Sequence, residues 1–461
     1  MIVGNVMDRM SIFKRFADWF RRTPPAQFAV WTATGIIVWK LSATVVQDIL
    51  VYGAFLFALA HAHRGARAWK QPAGIAFVAI LLYMACALPF STHPALSLRD
   101  FSGLFKIIAG AFAIPVIFNT RAKIEAALFY SAAAITCVLG YDLIRLTVCL
   151  GPNLLAQAHI FKPFILNHSN VASMMAGASI FVFFQHGFHA IAERTCRPSS
   201  GVRSDPSSVA CPPKRSGEGG SVFSGPSSVI RRPSSIFSGL PSVSGCLLGI
   251  LVGLAYLVIL ASRGPQIAFA LTCVGALSLV PGRGIKLLGF LVVLLAGLAL
   301  FVNIEHVNPR FLEKKSMTNF SERVTVWRHT WDLARQRPWV GYGYGKRNFE
   351  AVYYSTHPPK SIFHYPHPHQ FWLKLLFEFG WPGLILNFIA WLILAHGLWR
   401  CVFAQPTFTD RLLPGTVGLV FCFIHLYGLG DYPDNIVLMA QFWLIPVALA
   451  LMKTTDNEHT T

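Results

Sequence analysis

Long apolar runs alternate with short polar breaks along most of this chain, and many of the runs approach the roughly 20 residues that a helix needs to cross a bilayer. Taken in order they predict about twelve membrane helices, near 25–43, 44–60, 73–91, 101–118, 124–148, 168–187, 246–262, 265–281, 285–303, 370–395, 412–428 and 435–452. The expected fold class is an all-α integral membrane protein. Residues 1–195 carry the first six helices, 246–303 the next three, and 370–461 the last three with a tail. Two long segments interrupt the alternation, 196–245 and 304–369, and they differ in kind.

The first interruption repeats Pro-Ser-Ser at 198, 206, 226 and 233 and holds few large apolar residues, the composition of a disordered insert. Its basic residues are suited to an anionic leaflet, although a solvated linker is the simpler reading. The second has 66 residues, ten Lys or Arg against five Asp or Glu, and many aromatics. Connections are usually about 4–6 residues, and long ones tend to carry function, so chemistry is expected in this loop.

Composition sharpens the class. Of 461 residues 54% are hydrophobic and 13% charged, with a mean hydropathy of +0.52, whereas soluble domains carry about 25% charged residues. A small soluble enzyme is excluded. The net charge of +19 suits lipid headgroups, phosphates or nucleic acid, so its distribution must decide. Segments on the side of the N-terminus hold 22 Lys and Arg, while the short opposite loops 92–100 and 151–167 hold one each. By the positive-inside bias both termini are cytoplasmic and the 304–369 loop faces outward. Basic residues precede an apolar stretch at 28–38, but Lys40 follows without a small-residue cleavage site, which reads as a retained first helix. Residues 10–20 mix aromatics with Lys14 and Arg15 in the manner of an interfacial segment. The nine cysteines lie mostly in apolar runs and imply no disulfide framework.

Within the outward loop, "TNFSERVTVWRHTWDLARQRPWVGYGYG" opens with Asn319 or Ser321 as N-cap and closes at Pro338 and three glycines, framing one amphipathic helix. Arg323, Trp327 and Trp331 share a face of it. A guanidinium beside indoles grips an anionic headgroup or pyrophosphate; a Trp-anchored interfacial helix with a snorkelling Arg gives the same pattern. Gly-x-Gly-x-Gly at 341–345 is a weak nucleotide signal, because no strand precedes it. Arg263, between two spans beside Gly264 and Pro265, is either a headgroup anchor or a bidentate phosphate ligand. Lys106 and Arg145 are nominally intramembrane and are candidates by that position. His364, His367 and His369 stand just before an apolar helix, and His is the usual general base near neutral pH. Their spacing, broken by prolines, lacks the helical i, i+4 register of a zincin, so no metal is assigned. Asp431 and Asp434 sit in an outward hairpin, as turn formers or a cation site.

Together these pieces resemble the O-antigen ligases, within the broader group of O-antigen polymerases and bacterial O-oligosaccharyltransferases. The resemblance rests on "SRG" at 262–264, "SERVTVW" at 321–327, "GYGYG" at 341–345 and "HQFWLKLLFEFGWPGL" at 369–384, in that order and topology. It covers roughly residues 245–395 by motif. The family's catalytic His begins a His-Asn pair followed three residues later by Leu; here His369 precedes Gln370, which keeps the amide, and Leu373 is in place. His367 competes for the role from two residues away. The long insert is not a family feature.

The resemblance implies a GT-C-like, inverting and metal-independent glycosyltransferase of the bacterial inner membrane, with no cofactor. It would join a glycan carried on undecaprenyl pyrophosphate to lipid A-core at the periplasmic face, with the bilayer and no nucleic acid as further partner. His369, Arg263 and Arg323 would be catalytic; His367, Trp327, Trp331, Arg328, Lys346 and Arg347 would bind substrate. Polymerisation of glycan or transfer to a protein Ser or Thr are alternative reactions. A lipid-linked glycan transporter is the alternative class, but it calls for cations at the membrane midplane, whereas these cluster outside.

Overall fold

The computed structural model describes residues 44–151, 169–196, 243–259, 263–280, 282–302, 314–356, 367–430 and 444–452. The expected first span at 25–43, the interfacial segment at 10–20, Ser262, His364, Asp431, Asp434 and nearly all of the insert lie outside these residues, as do the side chains of Lys106 and Arg263.

The described residues form helices and turns with no strand. The helices are α1 (Thr44–Ala60), α2 (Ala62–Trp69), α3 (Pro72–Ala87), α4 (Pro94–Ile117), α5 (Arg121–Leu150), α6 (Ser169–Cys196) and α7 (Val243–Ile259). They continue with α8 (Arg263–Ala276), α9 (Arg283–Val302), α10 (Lys314–Gln336), α11 (Lys346–Thr356), α12 (Phe371–Ala404) and α13 (Phe408–Gly430). Six helices, α3 to α6, α12 and α13, are long and apolar enough to cross a membrane, and α7 and α8 are shorter apolar helices. The protein is an all-α, multi-pass membrane protein. These eight and the helices α1 and α9 fall on ten of the expected apolar runs, and the last run is seen at 444–452.

Local chemistry sets the helix starts. Pro72 and Pro94 occupy first-turn positions, where a missing N–H costs nothing. Thr120 caps α5 by accepting from the Lys123 N–H. Packing within the bundle uses small residues, since lipid offers no hydrophobic drive between helices. On α7, Gly249 and Gly253 lie against Phe183 and Ile180 of α6, and a Cβ at Gly253 would come within 2.7 Å of Ile180. The core joins α3, α4, α12 and α13 through Phe77, Met84, Ile108, Phe371, Leu375, Phe379 and Phe423. Leu287, Leu288, Leu294 and Leu295 of α9 point outward, a face suited to acyl chains.

Two polar clasps mark opposite ends of the bundle. At one, Arg121 reaches Asp410 at 3.8 Å and donates to Gln405 at 3.3 Å, joining the start of α5 to the α12–α13 turn. At the other, Arg337 donates to the Thr92 hydroxyl at 2.7 Å and the Phe90 carbonyl at 3.0 Å, joining the segment after α10 to the α3–α4 turn. The charge count groups the same loops in the same way, 119–123 with 396–411 and 92–100 with 304–369.

The structure corrects three local expectations. The expected connector at 61–72 contains α2, whose Trp69 stacks on Phe112 at 4.4 Å; eight residues of mixed polarity are too few to read as a span. Helix α10 begins at Lys314, ahead of the expected cap at Asn319 or Ser321, because a helix held by tertiary packing can run through Ser, Thr and Asn. The loop also holds a second helix, α11, that no cap signal announces.

Candidate functional site

Helix α12 is broken near its start. Gly380 has φ 66° and ψ −170°, and Pro382 follows without an N–H, so the carbonyls of the preceding turn lose their helical donors. Bare backbone polar groups within a membrane-spanning helix are costly, and here they are met by residues 338–345. Tyr342 N–H donates to the Phe377 carbonyl at 2.7 Å and Gly343 N–H to the Glu378 carbonyl at 3.0 Å. The Trp381 N–H donates back to the Pro338 carbonyl at 2.7 Å, and the Tyr83 hydroxyl takes the Phe379 carbonyl at 2.8 Å. The glycines make this strap possible. Gly341, Gly343 and Gly345 all have positive φ, and a Cβ on Gly341 would lie 2.5 Å from the Glu378 backbone.

Polar side chains hold the far side of the strap. Asn348 donates to the Tyr342 and Gly343 carbonyls, both at 2.9 Å, and Ser91 donates to the Tyr342 carbonyl at 3.0 Å. The Gly345 N–H donates to the Glu378 carboxylate at 2.9 Å, and the Lys374 ammonium lies 3.6 Å from the same oxygen. Lys374 also faces the Tyr344 ring at 5.9 Å. Burial, then the charges of Glu378 and Asp100, push the Tyr344 phenol well above its ordinary value, so it stays neutral. Burial likewise raises the Tyr353 phenol to about 12.

The histidines sit at the mouth of this broken helix. Gln370 caps α12 by accepting from the Leu373 N–H. Just ahead of it, His369 has φ 52°, the one positive φ outside glycine among the described residues. Such a conformation persists only where surroundings impose it, and it collects at functional sites. Two contacts impose it. The His369 N–H donates to Nδ1 of His367 at 3.3 Å, and the Trp327 indole N–H donates to the Pro368 carbonyl at 2.6 Å. The two imidazoles lie 4.1 Å apart, tilted by 44°. His367 is buried and accepts at Nδ1, whereas His369 is only partly buried.

The remaining candidates divide by environment. Arg323 precedes Trp327 by one turn and is partly buried, while Arg328 is exposed. Trp331 is 41% exposed and meets Trp381 edge-on at 6.1 Å. The Trp327 indole N–H, bonded to the Pro368 carbonyl, braces the histidine turn. Lys346 and Arg347 are exposed at the start of α11, and Arg347 pairs with Asp100 at 3.6 Å. Arg263 is the first residue of α8. Arg145 lies within α5, away from the histidine turn in sequence and element. Sequence reasoning passed over Ser91, Asp100 and Asn348, which lie in no short motif, and over Lys374, which lies within the 369–384 stretch without a chemical signal of its own. The break in α12 was also passed over, although Gly-Trp-Pro at 380–382 is a sequence signal that could have announced it.

Residues 248–388 match the family described as O-antigen ligase. No curated protein matches the chain. The match supports a function of O-antigen ligase or polymerase type, a glycosyltransferase-like activity on lipid-linked glycans. Its span takes in Arg263, Arg323, Trp327, the glycine strap, both histidines and the break in α12, so the region that builds most of this site is similar to the O-antigen ligase family.

Proposed function

We propose that the protein is an inverting, metal-independent glycosyltransferase of the bacterial inner membrane that ligates a glycan from undecaprenyl pyrophosphate to lipid A-core at the periplasmic face. The observation that carries the reading is the constrained turn at His369. A partly exposed imidazole in a left-handed backbone conformation, braced from two sides, is the arrangement expected of a base that must meet a hydroxyl in one orientation.

In the reaction, His369 accepts the proton of the acceptor hydroxyl as its oxygen attacks the anomeric carbon of the donor. The bond from that carbon to the pyrophosphate oxygen breaks, with inversion of configuration. Pyrophosphate leaves on the lipid and carries the electron pair. Arg263 and Arg323 offset the charge that grows on it, a stabilisation that matters most in the transition state. No nucleotide is needed, because the linkage energy arrives in the donor. His367 holds the His369 backbone through its acceptor nitrogen and is read as a positioning residue. Trp331, Arg328 and Lys346, exposed on the same loop, are read as contacts for glycan or lipid.

Lipopolysaccharide from a deletion strain tests the assignment. Undecaprenyl-linked polymer accumulating beside bare core is the expected result. Core bearing a single repeat unit would move the assignment to polymerase, and intact lipopolysaccharide with unglycosylated protein would move it to protein glycosylation.

A further inference from the structure

Lys374 and Glu378 form an ion pair one helical turn apart, 3% and 1% exposed, in a helix that is otherwise apolar enough to span a membrane. A buried pair of this kind is a poor stabiliser, because removing two charges from water cancels much of their attraction. Here the pairing is also incomplete. One Glu378 oxygen serves both Lys374 and the Gly345 N–H, while Oε2 is buried without a hydrogen-bond partner among the described residues. A device selected for stability alone would not leave a carboxylate oxygen so.

Placement suggests another purpose. Lys374 belongs to the first turn of α12, its N–H donating to the Gln370 carbonyl at 3.0 Å, directly after the turn that holds His369. Glu378 lies at the break and takes the last N–H of the glycine strap. The strap continues into α11, whose Arg347 is fixed to Asp100. We propose that Glu378, paired with Lys374, is a positioning element for the transfer reaction, its acceptor oxygen locking the glycine strap to the start of α12 so that the histidine turn and the cationic loop keep one relative placement. The inference rests on the transferase reading above and adds residues outside its chemistry.

Two charge-free replacements of the pair separate positioning from packing. Lys374→Met with Glu378→Leu removes both charges and the acceptor for Gly345, whereas Lys374→Met with Glu378→Gln removes the charges but keeps an oxygen for it. Purified full-length proteins are compared for thermal midpoint, for tryptic cleavage at the exposed Lys346 and Arg347 just beyond the strap, and for transfer kinetics. The Met/Leu form should melt near wild type, be cut faster at Lys346 and Arg347, and lose roughly 10- to 100-fold in kcat with donor KM unchanged, the scale of a misplacement of about 1 Å. The Met/Gln form should recover most of both properties. Equal cleavage and equal kcat in the two forms would overturn the proposal. Should the Met/Leu form not reach the membrane, Glu378→Asp withdraws the acceptor by one methylene while keeping the charge, and the same comparison decides. Absence of transfer by the wild type would count against the transferase reading alone, because the cleavage comparison needs no donor and still decides the lock.

Discussion

Trp327 donates its indole N–H to the carbonyl of Pro368 across 2.6 Å, so a residue of the loop helix holds the peptide between the two histidines. The bond gives this indole a bracing role at the histidine turn. Trp327→Phe keeps most of the ring and deletes the donor. A hydrogen bond of this kind contributes about 1 kcal/mol net, more where the carbonyl is left unmet. Transfer by Trp327→Phe should therefore fall about tenfold in kcat, with membrane levels normal; unaltered kcat would show that the histidine turn holds itself.

The histidines should separate cleanly. A general base contributes about 10²- to 10⁴-fold, so His369→Ala should nearly silence transfer. His367→Ala removes the acceptor for the His369 N–H and should leave impaired but measurable turnover, and His364→Ala should resemble wild type. Purified enzyme should retain activity in EDTA. Loss in EDTA that a divalent cation restores, or an active His369→Ala enzyme, would overturn the assignment of His369 as a base working without a metal.

Arg263→Ala and Arg323→Ala should abolish transfer at normal protein levels, with Lys a poor substitute at either position because a point charge lacks the planar fork. The measurement is donor turnover in vesicles. Full activity in Arg323→Lys would mark α10 as a membrane anchor.

These candidates were legible because helical spacing and residue type announce them. Arg323, Trp327 and Trp331 recur every four residues, and the apolar runs placed ten helices. The strap was not legible. Its hydrogen bonds join backbone to backbone, as between Tyr342 and Phe377, and such bonds leave no residue signature. Ser91 and Tyr342 meet across 251 residues of sequence, which no local pattern encodes. The buried Glu378 carries no signal of its own in the sequence, because a Lys four residues before a Glu is also what a solvated helix face shows.

At the strap, Gly341→Ala should destabilise the protein. The new methyl would meet the Glu378 backbone in a conformation with φ 65° that L-residues resist, a combination worth on the order of 1–3 kcal/mol or more. The thermal midpoint in detergent should drop, and Gly103→Ala, which meets nothing within 4 Å, provides the control. Equal midpoints would mean that the strap yields without cost.

Orientation is testable apart from chemistry. A reporter fused at Ser228 should be active only as a cytoplasmic marker and one at Lys315 only as a periplasmic marker. Reversed signals would move the histidine turn to the wrong compartment for a donor displayed outside.

Gly249 and Gly253 let α6 and α7 meet at close range. That contact registers the two helices independently of the chain joining Cys196 to Val243. Closing a flexible loop grows only slowly in cost, about 0.6 kcal/mol for each doubling of its length. A register fixed in this way sets no single length for the connecting sequence, so a change in its length need not disturb the end of the bundle that carries the histidine turn.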